Sequence, residues 1–146
     1  MLTNQSIKDS VGYTLAQVCK LHRQRADNLL NTIGLHVGQE MFLTELWRKD
    51  GISQTELAEQ LSLQPATVTN SLRRMEREDI VERHDDSDDQ RVSRVYLTGK
   101  GRGLEGPVEE KWGQLESEAF AGFSLEERVL LRRLLLQVYQ NLAGHP

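Results

Sequence analysis

Apolar residues recur at helical spacing along the first third of the chain. Between Ser10 and Ile33 they form one stripe, made of Val11, Leu15, Val18, Ala26, Leu29 and Ile33. Residues three and four apart share a helix face, so the stripe predicts one long amphipathic helix that ends near Gly34. A second helix is predicted from Val37 to Lys49, and the Asp50–Gly51 pair ends it.

Two short helices joined by a tight turn are predicted next. Ser53 and Glu56 have the S-x-x-E spacing of a capping box, in which each side chain accepts a hydrogen bond from the other residue's backbone N–H. Pro65 fits the first position of the following helix, where its missing N–H costs nothing. In that helix we expect a buried stripe of Val68, Leu72 and Met75.

After Asp79 the pattern predicts strands. Residues 80–84 and 92–97 are short segments rich in β-branched and apolar residues, and the polar loop 85–90 separates them. Two such segments around a short loop favour a hairpin, here with a charged tip.

The chain is predicted to end with two helices. Thr98 can cap the first, which continues to about Ala121, although the glycines that follow Thr98 weaken its first turns. Ser124 and Glu127 form a second capping box at the start of the last helix. Apolar residues cover more than one face of that helix: Val129, Leu131, Leu134, Leu135, Val138 and Leu142. A domain this small cannot cover such a surface alone, so we expect a second copy of the chain to do so.

Composition narrows the class of protein. A chain of 146 residues suits a single domain with a real core. No apolar run approaches the eighteen or more residues of a membrane helix, and Met1 to Ser6 lack the pattern of a secretory signal. We therefore expect a cytoplasmic protein without membrane partners. The single cysteine, Cys19, excludes an internal disulfide.

The charge balance argues against nucleic-acid binding at first. The net charge is −4, and residues 53–102 hold eight Lys and Arg against ten Asp and Glu. Phosphate neutralisation supplies most non-specific affinity, so a DNA-binding function would depend on where the arginines lie rather than on their number.

Three local motifs resemble the MarR family of bacterial transcription regulators. Residues 51–58 (GISQTELA) are similar to the entry of that family's helix-turn-helix, and residues 65–76 (PATVTNSLRRME) to its recognition helix. The most specific match is D-x-x-D-x-R-x-x-x-V-x-L-T-x-x-G, carried by Asp86, Asp89, Arg91, Val95, Leu97, Thr98 and Gly101. The resemblance extends over nearly the whole chain.

The resemblance implies a mainly α-helical fold with a small β wing. A winged helix-turn-helix head would span residues 37–100, and residues 1–36 and 101–146 would form helical dimerisation regions. Such proteins are homodimers whose two heads read a pseudo-palindromic site in double-stranded DNA. They usually act as repressors and release DNA when a small aromatic or anionic effector binds, or when a cysteine is oxidised.

On this resemblance, the predicted DNA contacts lie on the recognition helix and the wing. Arg91 would enter the minor groove, with Asp89 orienting its guanidinium. Gln64 and Pro65 would approach a phosphate, and Arg94 and Lys100 are weaker phosphate candidates. The polar face of the helix would contact bases and phosphates through Thr67, Thr69, Asn70, Arg73 and Arg74. The alternatives are a solvated helix face and an exposed ion pair of little consequence.

An effector pocket would lie between the dimerisation helices and the head. The resemblance and the residue types point to His22, Arg25, Phe42, Trp47 and Trp112 as its wall, where an arginine beside aromatic rings suits an aromatic carboxylate. Core packing of Phe42 and Trp47 and a surface position of Arg25 are the simpler alternatives.

Other chemistries find little support. The histidines show no metal-binding grouping, and no cofactor is expected. The sequence also has no nucleotide-binding loop and no catalytic constellation, so we predict that the protein is not an enzyme. Cys19 is interpreted as a small hydrophobic side chain beside the apolar stripe, with a redox sensor as the alternative. A winged-helix interaction module without DNA binding remains the other main hypothesis, because the head is slightly acidic.

Overall fold

Residues 6–145, which the computed structural model describes, form seven α-helices and one two-stranded sheet. A 3₁₀ turn at Ile7–Asp9 precedes them. In chain order the elements are α1 (Val11–Asn31), α2 (Gln39–Arg48), α3 (Gln54–Leu61), α4 (Pro65–Arg77), β1 (Val81–Asp85), β2 (Ser93–Leu97), α5 (Gly99–Gly103), α6 (Glu105–Ala119) and α7 (Leu125–Ala143). The predicted fold class is confirmed. Residues 1–5 and 146 lie outside the described residues. They belong to the predicted dimerisation regions, and residues 1–5 are most of the segment that was considered as a secretory signal.

The long first helix is buried only near its C-terminal end. Ser10 caps it by accepting a hydrogen bond from the Tyr13 N–H. Ala26 and Leu29 pack with Leu115 of α6 in a small cluster. Val11 and Val18, from the first half of the predicted stripe, are exposed, and so is Cys19. Cys19 is therefore not packed as a small hydrophobic side chain within the described protomer.

The main core holds the head together. Val68, Leu72 and Met75 of α4 are fully buried, as their spacing predicts. They meet apolar residues of α2, α3 and the hairpin in one continuous cluster. This packing fixes the inner face of α4 and leaves its polar face outside.

Local signals set the boundaries of the two short helices. Ser53 accepts a hydrogen bond from the Glu56 N–H and so caps α3. The reciprocal half of the predicted capping box is absent, because the Glu56 carboxylate instead binds Lys49 at 3.0 Å. Ser62 takes a left-handed conformation (φ 55°) in the turn, and Pro65 opens α4 as predicted.

The hairpin is antiparallel and packs one face on the head. Val81 pairs with Leu97 and Arg83 with Val95, so the four side chains share a face of the sheet. Val81, Val95 and Leu97 are buried there. The single helix predicted after Thr98 is divided at Leu104 into α5 and α6.

The last helix makes little contact with its own chain. Ser124 and Glu127 form the complete capping box that the sequence predicts. No residue of α7 is buried, and Val129, Leu130, Leu134, Leu135 and Leu142 are all exposed. One hydrogen bond joins the helix to the head, between Tyr139 Oη and Ser62 Oγ at 2.5 Å. No helix within residues 6–145 is long and apolar enough to cross a membrane.

Candidate nucleic-acid interface

The polar face of α4 carries several exposed side chains that form no hydrogen bond or ion pair within residues 6–145. Thr67, Asn70 and Arg73 are exposed, and within residues 6–145 their side chains form no hydrogen bond. Arg77, which the sequence analysis did not select, lies one turn after Arg73 and is also exposed. Because α4 has helical geometry, side chains four residues apart share a face, so Arg73 and Arg77 form one basic strip.

Two of the predicted contact residues on α4 are already engaged by the protein. The Thr69 hydroxyl accepts a hydrogen bond from Gln54 Nε2 at 2.7 Å and donates one to the Pro65 carbonyl at 3.0 Å. Arg74 Nε binds Glu78, the residue that follows α4, at 3.0 Å. A ligand at these two positions would have to compete with those bonds, which is not the case at Thr67, Asn70 or Arg73.

The start of α4 is open to an anion. Gln64 occupies the N-cap position and makes no side-chain hydrogen bond to the helix amides, and Pro65 follows at the first turn. Free amides at a helix N-terminus carry a partial positive charge and suit a phosphate oxygen. The predicted placement of Gln64 and Pro65 at this end of the helix is therefore geometrically suitable.

A network that the sequence analysis missed joins the wing to both short helices. Arg83 Nε binds Glu76 Oε1 of α4 at 2.5 Å, and Arg83 Nη1 binds Gln54 Oε1 of α3 at 3.4 Å. Gln54 in turn holds Thr69. The sequence does hold a signal for Arg83. Side chains two residues apart in a strand share a face, which places Arg83 on the same face of β1 as the buried Val81. The network fixes α4 against the sheet and so orients its polar face.

The wing tip presents one arginine to solvent. Arg91 is bound to Asp89 through two parallel hydrogen bonds of 3.0 and 3.2 Å, and 91% of its side chain is exposed. These bonds hold the pKa of the Asp89 carboxyl below its usual value. The guanidinium is thus oriented by its neighbour while its outer face stays free.

A second wing arginine points into the protein. Arg94 Nε binds Asp86 at 3.0 Å and its Nη1 binds the Gly51 carbonyl at 3.0 Å, so it joins the wing to the loop before α3. The Asp88 backbone amide and Arg94 together lower the pKa of Asp86. Lys100 likewise donates to the Glu78 carbonyl. Both weaker phosphate candidates therefore have a structural contact already.

A cavity of about 720 Å³ lies where α2 and α6 meet. Trp47 and Trp112, two of the five predicted effector residues, form part of its wall. His22 is not among the lining residues but packs edge-on against Trp112, with 5.8 Å between ring centroids. Phe42 lies in the core with 3% of its surface exposed, so it does not reach the cavity.

Arg25 does not reach the cavity either. It forms a two-bond ion pair with Glu118 of α6, at 2.6 and 2.8 Å. The pair lowers the pKa of Glu118 to about 2 and raises that of Arg25. The predicted arginine for an aromatic carboxylate is therefore bound to a carboxylate of the chain itself.

Comparison with known proteins identifies relatives of this arrangement. The MarR family model matches residues 35–93. The uncharacterized HTH-type transcriptional regulator YdgJ of Bacillus subtilis is 33% identical over 110 residues, which are 75% of this chain and 66% of YdgJ. The structure of an S. aureus MepR–DNA complex matches with a TM-score of 0.83 at 25% identity, over 90% of this chain and 98% of that one. Bordetella bronchiseptica BpsR, whose DNA binding is described as regulated by 6-hydroxynicotinic acid, matches in fold with a TM-score of 0.85 at 22% identity, over 92% and 96% of the two chains.

Proposed function

The chain belongs to the MarR family of winged-helix transcription regulators, and from that premise we propose that it binds a pseudo-palindromic DNA site as a homodimer. In this proposal it acts in the cytoplasm as a repressor that a small effector releases from DNA. The proposal includes no catalytic activity and no cofactor.

The observation that carries the DNA-binding proposal is the free polar surface of α4 beside an oriented arginine. Thr67, Asn70 and Arg73 have no partner among residues 6–145, although polar side chains on a helix often pair with neighbours one turn away. Asn can read adenine and Arg guanine from the major groove, and a narrow minor groove attracts Arg91. MepR, which is 25% identical to this chain, has been solved in complex with DNA, and this supports a DNA-binding function for the chain.

The homodimer proposal rests on α7. Its apolar residues lie beside the first half of α1, since Leu131 and Leu135 line one cavity together with Val11 and Val18. Val11 and Val18 are themselves exposed. Removing such an exposed apolar surface from water is favourable by about 25 cal/mol per Å² of apolar area. A second copy would cover it by the same helices and would place two heads in a two-fold arrangement.

The effector proposal follows from the position of the cavity. Its walls come from α2 in the head and α6 outside it. Two heads must lie about 34 Å apart to occupy successive major grooves. A ligand that changes the angle between α2 and α6 would change that separation and prevent both heads from docking together.

Selection from a randomised duplex library tests the proposal. The native chain should recover a palindrome whose half-sites lie about one helical turn apart, and the Arg91→Ala variant should bind the recovered site more weakly. Sedimentation of the protein with and without DNA would give the number of copies bound. Failure to enrich any sequence at low salt would contradict the DNA-binding proposal.

A second candidate function is a winged-helix module that binds proteins and not DNA. The acidic balance of residues 53–102 favours it. The two functions differ in salt dependence, because phosphate contacts release counterions and make log K fall steeply with log salt. A flat salt dependence of any DNA binding would favour the interaction module.

A further inference from the structure

The cavity between α2 and α6 is lined by apolar and acidic side chains. Its lining includes Trp47, Val108 and Trp112, and the apolar share of the exposed lining is much the larger. The size of about 720 Å³ lies within the range of small-molecule sites, which are about 300–1,000 Å³. Such a wall favours a ligand with a hydrophobic body.

The charges around the cavity have one dominant sign. Four carboxylates line it, from Glu40, Glu45, Glu105 and Glu109, against the single guanidinium of Arg48. Within residues 6–145 none of the four forms an ion pair with a basic side chain. A concave site with low-dielectric walls concentrates the field of such charges, so the cavity attracts cations and repels anions.

One of these carboxylates is set into the protein. Glu40 is almost entirely buried and accepts hydrogen bonds at 2.9 Å from the Gly38 amide through both of its oxygens. Burial raises its pKa, and the bonds from the backbone, together with the nearby charge of Arg23, oppose that effect. A nearby cation would replace part of the lost hydration of Glu40.

The two tryptophans suit a cation as well as an apolar surface. Trp47 donates its indole N–H to the Gly101 carbonyl at 3.0 Å, which fixes the ring in place. Trp112 packs against His22 in a T-shaped arrangement of the two rings. The face of an indole ring attracts cations within about 6 Å of its centroid.

We propose that the cavity between α2 and α6 binds an amphipathic organic cation, with its apolar body against the tryptophans and its charge toward the carboxylates. This proposal deepens the proposed effector function and rests on it for its regulatory consequence. It differs from the anionic ligand expected from the sequence, because Arg25 is bound to Glu118 and lies outside the cavity.

Two ions of nearly equal shape and opposite charge test the proposal. Tetraphenylphosphonium and tetraphenylborate present the same four rings, so a difference in their affinities reports the charge preference. The chain has two tryptophans, and both line the cavity, so quenching of tryptophan fluorescence excited at 295 nm reports its occupancy. We expect saturable quenching by the phosphonium, with a Kd at least tenfold lower than that of the borate.

Matched substitutions locate the binding. Glu105→Gln with Glu109→Gln should weaken phosphonium binding roughly three- to tenfold, and Arg48→Gln should strengthen it. Glu110→Gln is the control, since Glu110 is exposed on the same helix but does not line the cavity. Circular dichroism melting of each variant would confirm that it is folded.

Three results would overturn the proposal: no saturable quenching by the phosphonium, equal or tighter binding of the borate, or equal effects of the cavity and control substitutions. DNA binding is measured separately on ligand-free protein. Its loss would refute the proposed DNA-binding function and leave the charge preference of the cavity intact. If DNA is bound and the phosphonium occupies the cavity, its addition should lower DNA affinity.

Discussion

Arg91 and Arg94 lie on the same hairpin, but replacing each by alanine should change a different property of the protein. Arg91 is 91% exposed and binds only Asp89, two residues away. Arg94 is 35% exposed and joins the wing to Asp86 and to the Gly51 carbonyl. The Arg91→Ala substitution should therefore affect DNA binding alone, and the Arg94→Ala substitution should affect the stability of the fold.

For Arg91→Ala the expected loss is in affinity. Removing a surface side chain of this kind changes the free energy of unfolding by no more than about 0.5 kcal/mol. An arginine in contact with DNA contributes about 1–3 kcal/mol. At the lower end of that range, two wings per dimer give about 2 kcal/mol, or roughly a thirtyfold rise in Kd. The slope of log K against log salt should also fall by about 2 if each guanidinium displaces one counterion.

For Arg94→Ala the expected loss is in stability. Its bond to the Gly51 carbonyl has a charged donor and contributes on the order of 1 kcal/mol, since the side chain is partly exposed. For a chain of this size that corresponds to a melting temperature lower by about 2–4 °C. The contact with Asp86 adds to the effect. DNA affinity should fall only as far as the wing loosens, with little change in the salt slope.

Fluorescence anisotropy with the selected duplex, at 50 to 200 mM KCl, would give both affinity and slope. Thermal melting followed by circular dichroism would give stability. Arg91→Lys is a useful control, because it keeps the charge and loses the planar fork that pairs with Asp89. The reasoning would be refuted if Arg91→Ala left the DNA affinity unchanged, or if it lowered the melting temperature more than Arg94→Ala does.

Two further predictions concern the packing around the wing and around α1. Gly101→Ala should destabilise the fold by about 1–3 kcal/mol in chemical denaturation, because an added Cβ would overlap the Ile80 carbonyl oxygen. Gly103→Ala, where nothing lies within 4 Å, should instead stabilise α5 by about 0.5–1 kcal/mol, and equal effects at the two glycines would contradict this packing. The pKa of Glu118 is lowered from 4.5 to about 2 by Arg25, so its contribution to stability is present above pH 4.5 and is lost as the pH falls toward 2. The melting temperatures of the native chain and Glu118→Gln should therefore differ at pH 7 and converge near pH 2, and a constant difference would exclude the ion pair as the cause.

Periodicity and capping residues predicted the fold of this chain well, because those signals act over one or two turns. Val68, Leu72 and Met75 face the core since their spacing matches a helix, and Ser124 with Glu127 caps α7 as its motif requires. The capping box at Ser53 was half wrong for a non-local reason. Lys49, the residue that follows α2, lies 3.0 Å from the Glu56 carboxylate and binds it instead.

The candidate site was less predictable where its contacts join distant segments. The sequence selected Thr69 by its place on the helix face, but Gln54, 15 residues earlier, occupies its hydroxyl. Arg83, whose guanidinium joins α3 and α4, was not predicted as part of the site. Such contacts depend on how elements pack, which periodicity within one element does not encode.

By itself the sequence determined the order of the elements, the buried face of α4, the hairpin and the unusual apolar surface of the last helix. These follow from local spacing and from the hydrophobic effect, which acts on each segment as it stands. Only the tertiary structure decided which charged side chains are paired within the protein and which remain available to bind a ligand or DNA. It bound Arg25 to Glu118 and Arg94 to Asp86, left Arg91 at the surface, and gathered carboxylates from α2 and α6 around one cavity. The reason is that electrostatic interactions depend on separation in space, and the pair Arg25 and Glu118 is 93 residues apart along the chain.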